Sequence, residues 1–131
     1  MKSLPIPSFF DTKKVNQFWK VPYHKRAKKA KKWQKKYQGS SSKEDKQKII
    51  LLLIDVQNTC CLPDFELFVA GKSGNGAVED NIRLCQFIYR NLANITHIVA
   101  TMDTHTAMQI FHPIFWVDEK GNHPQAGITM I

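Results

Sequence analysis

"LLLIDVQNTCCLP", residues 51–63, runs from an unbroken apolar stretch into one carboxylate, Asp55, then two amides and two thiols. Taken back to Lys48, the segment "KIILLLID" (48–55) has the pattern of a strand buried on both faces of a parallel sheet. An acid closing such a run serves no packing purpose. Asp55 therefore reads either as the first residue of a turn or as a group aimed at a ligand.

The flanking segments decide between folds. Residues 56–76 hold Pro63 and three glycines and read as a loop. Residues 77–95, "AVEDNIRLCQFIYRNLANI", predict a helix whose apolar face is Val78, Ile82, Cys85, Ile88 (or Tyr89) and Leu92. "THIVATMD" (96–103) is a second strand that also ends on an acid, Asp103. Strand, helix, strand in this order is a βαβ unit, so the fold class is α/β with a parallel sheet. Residues 104–131 are rich in His and Pro and show no third clear strand. A two-strand parallel sheet needs more strands and a cover on each face, so an exposed edge and an exposed apolar face are expected, and with them association into a homo-oligomer.

At 131 residues with 43% apolar composition, the chain has room for one ordinary domain. Its net charge of +8 is unevenly spread. Residues 1–48 carry 15 Lys and Arg against 3 Asp and Glu, whereas residues 49–131 carry 4 against 8. A basic arm (1–48) thus precedes a mildly acidic body (49–131). Within the arm, residues 1–22 are proline- and aromatic-rich and read as extended chain. Residues 23–37, "YHKRAKKAKKWQKKY", predict a basic helix with one weak stripe of Tyr23, Ala27, Ala30 and Tyr37, and "GSSSKED" (39–45) reads as a linker. The cysteines Cys60, Cys61 and Cys85 are odd in number and two are adjacent, which argues against a disulfide framework and for a reducing cytoplasm. The N-terminus has no long apolar core of a signal peptide, and no apolar run approaches the ~20 residues of a membrane span. A soluble protein is expected.

In open α/β sheets ligands bind beyond the carboxyl ends of the strands, where Asp55 and Asp103 both fall. The segment "DTHTAMQIFH" adds imidazoles: His105 lies two residues after Asp103, and His112 seven further on. A carboxylate with imidazoles is a suitable ligand set for zinc, iron or manganese. His97, inside the second strand, His24, in the basic helix, and His123, in "GNHPQAG", read as structural. Cys60 and Cys61 read as structural thiols as well, since cysteine is among the most often buried residues.

"LLLIDVQNTCCLPDFELFVAG" followed by "IVATMDTHT" resembles the isochorismatase-like superfamily of cysteine hydrolases, in its nicotinamidase branch. The likeness covers about residues 49–115. It implies a Rossmann-like α/β sheet, an Asp, Lys and Cys triad, and hydrolysis of a small amide such as nicotinamide through a thioester intermediate. Asp55 matches the triad acid that takes the thiol proton. Asp103 and His105 match metal ligands that orient the substrate's ring nitrogen, and His112 matches a further ligand less closely.

The departures are also specific. In the family the triad Lys follows the metal motif and the nucleophilic Cys follows later still. Here no Cys follows Cys85, and the only later Lys is Lys120, in the turn-like "DEKGN". The Trp-Pro-x-His segment is absent, Cys60 stands where a pocket aromatic is usual, and Thr104 and Thr106 replace the Trp and Pro around the metal histidine. The expectation is a chain that stops near half of the family fold, at its C-terminal side, and is inactive as it stands.

A rival reading belongs to the arm. Lysine clusters interleaved with Trp19, Tyr23, Trp33 and Tyr37 could follow a phosphate backbone while the aromatics stack on bases. With no nucleic-acid-binding fold beside the charge, the sequence favours the plainer alternative: a solvated helix that rests its aromatic stripe on the body or on a partner subunit, with no nucleic acid and no membrane as partner.

Overall fold

The computed structural model describes residues 3–37, 41–104, 110 and 112–125. In chain order these form α1 (Tyr23–Tyr37), β1 (Ile50–Leu53), α2 (Asn58–Cys61), α3 (Gly76–Asn91) and β2 (His97–Ala100). Short 3-10 turns lie at Thr12–Lys14, Ser42–Glu44 and Pro113–Phe115. The chain is a mixed α/β protein. Its two strands pair in parallel, with Ile50 opposite His97 and Leu53 opposite Ala100. The βαβ order read from the sequence is therefore present, with each strand trimmed to four residues.

Thr96 aligns the two strands. Its buried hydroxyl accepts from the Ile49 N–H at 3.0 Å and donates to the Asp45 carboxylate at 2.8 Å. The Thr96 N–H in turn donates to the Ile49 carbonyl at 2.8 Å. A buried hydroxyl satisfied on both sides fixes where the sheet begins and ties the linker residue Asp45 to it.

Helix α3 begins one residue earlier than the pattern predicts, at a loop that doubles back on itself. Gly71 turns the chain with φ 60°, and the Ala70 and Val69 carbonyls then accept from the N–H groups of Gly76 (2.6 Å) and Ala77 (3.0 Å). Two of the unpaired donors of the first helical turn are thereby satisfied by backbone rather than by a side-chain cap. A Cβ on Gly76 would sit 3.0 Å from the Ala70 oxygen, so a larger residue would have to push that carbonyl back by a few tenths of an ångström. The predicted apolar face holds at Val78, which is buried, and at Ile82, Cys85, Ile88 and Tyr89, which are half-buried. Leu92 lies just past the helix and is exposed.

The N-terminal arm is an extended strap, as its composition predicts. Leu4 is buried and donates its N–H to the Arg90 carbonyl at the end of α3 (2.8 Å). Phe9 and Phe10 then pack on Tyr89, with ring centroids 6.2 and 5.7 Å away. The Arg26 guanidinium of α1 donates to the Phe9 carbonyl and lies over the Phe9 and Trp19 rings. Helix α1 spans the residues the sequence predicts. Ala27, Ala30, Trp33 and Tyr37 border a cavity against the end of α3, the alanines exposed and the two rings half-buried, while Tyr23 is 75% exposed.

One expectation is corrected. The apolar run was read as a strand buried on both faces, yet Ile50 and Leu52 are 62% and 52% exposed. In a parallel pair, residues in register share a face. Ile50, Leu52 and Val99 therefore form one open apolar face together with His97. The opposite residues of β1, Leu51 and Leu53, are half-buried. With two strands there is no neighbour for either edge among the described residues, and no described element covers the outer face.

Candidate functional site

The carboxyl edge of the sheet is where the sequence placed its chemistry. β1 ends at Leu53, and two residues later Asp55 takes φ 55°, the one described non-glycine residue in the left-handed region. Aspartate tolerates this conformation better than most residues because its short polar side chain can bond locally, but the backbone is still strained there. The strain is held by neighbours. The Asp55 N–H donates to the Thr101 hydroxyl at 3.2 Å, and the Thr101 N–H donates to the Leu53 carbonyl at 2.9 Å. These two bonds join the exits of β1 and β2. Asp103 follows Thr101 by two residues, so both acids leave the same edge of the sheet and both are exposed.

The reversal at Asp55 also sets the next segment. Gln57 is extended, and its carbonyl accepts from the Cys60 and Cys61 N–H groups at 3.1 and 3.0 Å, which starts α2. That single turn brings the Cys61 thiol to 3.8 Å from the Asp55 carbonyl, to which it donates. The Cys60 Sγ lies 3.8 Å from the Thr59 hydroxyl. The sequence reading treated residues 56–76 as loop and missed both α2 and the nearness of Cys61 to Asp55. The signal for it was the six-residue spacing between them across a segment with no proline before Pro63.

The metal ligands expected from the sequence fall differently. Asp103 is at the edge just described. His112 is half-buried at the start of the 3-10 turn Pro113–Phe115, and its carbonyl accepts from the Phe115 N–H at 3.0 Å. His105 lies outside the described residues. Among the described residues no three of His, Cys, Asp and Glu converge as a metal set. The donor types, one carboxylate and two imidazoles within ten residues, suit a divalent transition metal.

Lys120 sits in a turn whose hub is Asp118: its Oδ1 accepts from the Lys120 and Asn122 N–H groups, both at 2.8 Å. Bonding from the Asn122 side chain and backbone, and from Lys120 and Gly121, holds the Asp118 carboxyl below its ordinary range. The His123 Nδ1 donates to the Trp116 carbonyl at 2.9 Å, a structural contact. Cys85 is half-buried on α3, and burial pushes its thiol up, away from reactive thiolate. A cavity of about 760 Å³ lies between α1 and the end of α3, bordered by Leu4, Phe9, Trp33, Tyr89 and Ile95. It lies away from Asp55 and Asp103, and its polar lining is Lys31, Gln34, Tyr37, Ser42 and Asp45, the last of which accepts from the Thr96 hydroxyl.

No helix among the described residues is long and apolar enough to cross a membrane. No protein-family model matches the chain, and no curated protein and no solved structure matches it.

Proposed function

We propose that this chain carries the acid and metal-binding part of an isochorismatase-like cysteine hydrolase acting on a small amide, nicotinamide first. The observation that supports the reading best is Asp55. It is held with positive φ at the carboxyl end of β1 and joined through its own N–H to Thr101, so that it shares one edge with Asp103. A left-handed acid held by its neighbours at a strand exit, on the edge where open α/β sheets bind ligands, is consistent with a functional position.

In this reading Asp55 is the base that takes the proton of a nucleophilic thiol. The thiolate attacks the amide carbonyl, the nitrogen leaves as ammonia, and water cleaves the thioester to free the acid and the thiol. Asp103, His105 and His112 would hold a divalent metal, which would supply Lewis-acid binding for the ring nitrogen of the substrate. The 131 residues contain no Cys after Cys85, and the Lys that follows His105 is Lys120, whose N–H is bonded in the Asp118 turn. The late nucleophilic Cys of the family pattern is therefore not among these residues.

Two measurements test this. With Mn²⁺ bound, the ring protons of nicotinamide nearest its nitrogen should broaden in proton NMR, and Asp103→Asn should abolish the effect. Nicotinamide lines left sharp by the Mn²⁺-loaded parent would contradict the reading. In an ammonia-release assay the chain alone should be silent, as should the Cys60→Ala/Cys61→Ala double variant. Turnover by the parent that is lost in the double variant would place the nucleophile in α2 and overturn the assignment of both cysteines as structural.

A further inference from the structure

Helix α1 carries eight Lys and Arg and no Asp or Glu within 15 residues. Among the described residues none of these cations makes an ion pair; the one pair there is Arg83–Asp80, on α3. The mildly acidic body could have neutralised the helix, and it does not. Like charges at i, i+4 destabilise a helix, so a lone stretch of this composition is held together at a cost that a polyanion would relieve.

The cations are also arranged. Lys25, Lys29, Lys32 and Lys36 follow i, i+4, i+7, i+11 and form one stripe, about 16 Å long at 1.5 Å per residue. Three of them, Lys29, Lys32 and Lys36, border a groove of about 430 Å³ between α1 and the N-terminal strap, together with Phe9, Trp33 and Tyr37. Trp33 and Tyr37 lie against each other with centroids 5.2 Å apart, and the Lys36 ammonium sits 5.3 Å from the Tyr37 ring. Cations spaced along a groove with aromatic rings on its wall are the elements of a single-strand nucleic-acid track: phosphates meet the ammonium groups, and bases meet the rings.

We infer that the groove between α1 and the strap binds single-stranded nucleic acid through Lys29, Lys32 and Lys36. The helix does not fit a membrane surface, because an interfacial helix needs a broad apolar face with large side chains. The apolar stripe of α1 is narrow: two alanines, Ala27 and Ala30, and the half-buried Trp33 and Tyr37, which wall the groove beside the lysines. The sequence alone favoured a solvated helix. The structure adds the groove, the shared wall of lysines and rings, and the want of internal counter-charge. The inference is independent of the hydrolase reading, since it uses none of the residues at the carboxyl edge.

The test is fluorescence anisotropy of the full chain with a labelled 20-nucleotide oligouridylate, beside a duplex of equal length and phosphatidylserine vesicles. Three phosphate contacts on a single strand give a salt slope of about −2, so binding should weaken about 20-fold between 50 and 200 mM salt. Lys29→Gln/Lys32→Gln/Lys36→Gln should lower affinity at 50 mM salt by at least tenfold and flatten that slope. The three side chains are exposed, and an unchanged far-ultraviolet circular dichroism spectrum confirms that the variant stays folded. No binding to the single strand at 50 mM salt, equal binding by the variant, tighter binding to the duplex, or binding to vesicles alone would each overturn the inference.

Discussion

Replacing Asp55 separates backbone strain from side-chain chemistry. The residue is exposed, so its side chain contributes little packing, and its N–H bond to Thr101 survives any substitution except proline. At φ 55° an ordinary L-residue pays about 1–2 kcal/mol, a β-branched one at the upper end, and glycine almost nothing. Glycine loses back roughly 0.5–1 kcal/mol through the greater freedom of its unfolded chain. The predicted order of stability is Asp55→Gly at or slightly above the parent, Asp55→Asn equal to it, and Asp55→Val lowest. Gly and Val should differ by about 1 kcal/mol. With a urea slope of about 1.5 kcal/mol/M, that moves the unfolding midpoint by roughly 0.7 M. Urea titration followed by circular dichroism measures it. The order is the reverse of strand preference, in which Val outranks Gly. A Val variant as stable as the Gly variant would show that Asp55 does not hold the left-handed conformation, and the argument for a strained functional acid would fail with it.

Other outcomes follow from the same contacts. Thr96→Val removes a buried hydroxyl that serves both Ile49 and Asp45, and should cost about 2 kcal/mol in urea unfolding, whereas Thr96→Ser should cost less than half of that; equal losses would mean the hydroxyl does not align the strands. Asp118 should titrate by NMR below its ordinary value of 3.8, since bonding to the ionised carboxylate depresses it, and Asn122→Ala should raise the midpoint. The sign is fixed: the turn gains from ionised Asp118 at neutral pH and loses that gain as the pH falls through the lowered value. The open face of Ile50, Leu52 and Val99 should make the chain sediment as more than a monomer, and Leu52→Lys should shift it toward the monomer; an unchanged distribution would place the association elsewhere.

Helix α1 was legible to the residue because a run without Gly or Pro, preceded by Pro22, leaves few other places to start. The strands were legible in order and pairing but not in length. The apolar run 49–54 extends one residue beyond each end of β1, and pattern alone cannot show where a partner stops. The double burial assigned to that run was wrong for a related reason: continuous hydrophobicity records what a strand is suited to, whereas burial depends on what lies opposite. At the site, the placing of Asp55 and Asp103 on one edge came from topology and was readable. The positive φ of Asp55 was not, because aspartate is equally common in ordinary turns. The approach of Cys61 to Asp55 depends on that φ and was hidden with it.

A calorimetric zinc titration of the parent and of His105→Ala asks whether Asp103, His105 and His112 hold a divalent metal as proposed. One zinc per parent chain is expected, with affinity lowered by more than about tenfold in the variant, since losing even an outer partner of a ligand costs that much. Equal affinity and stoichiometry in the two proteins would contradict it.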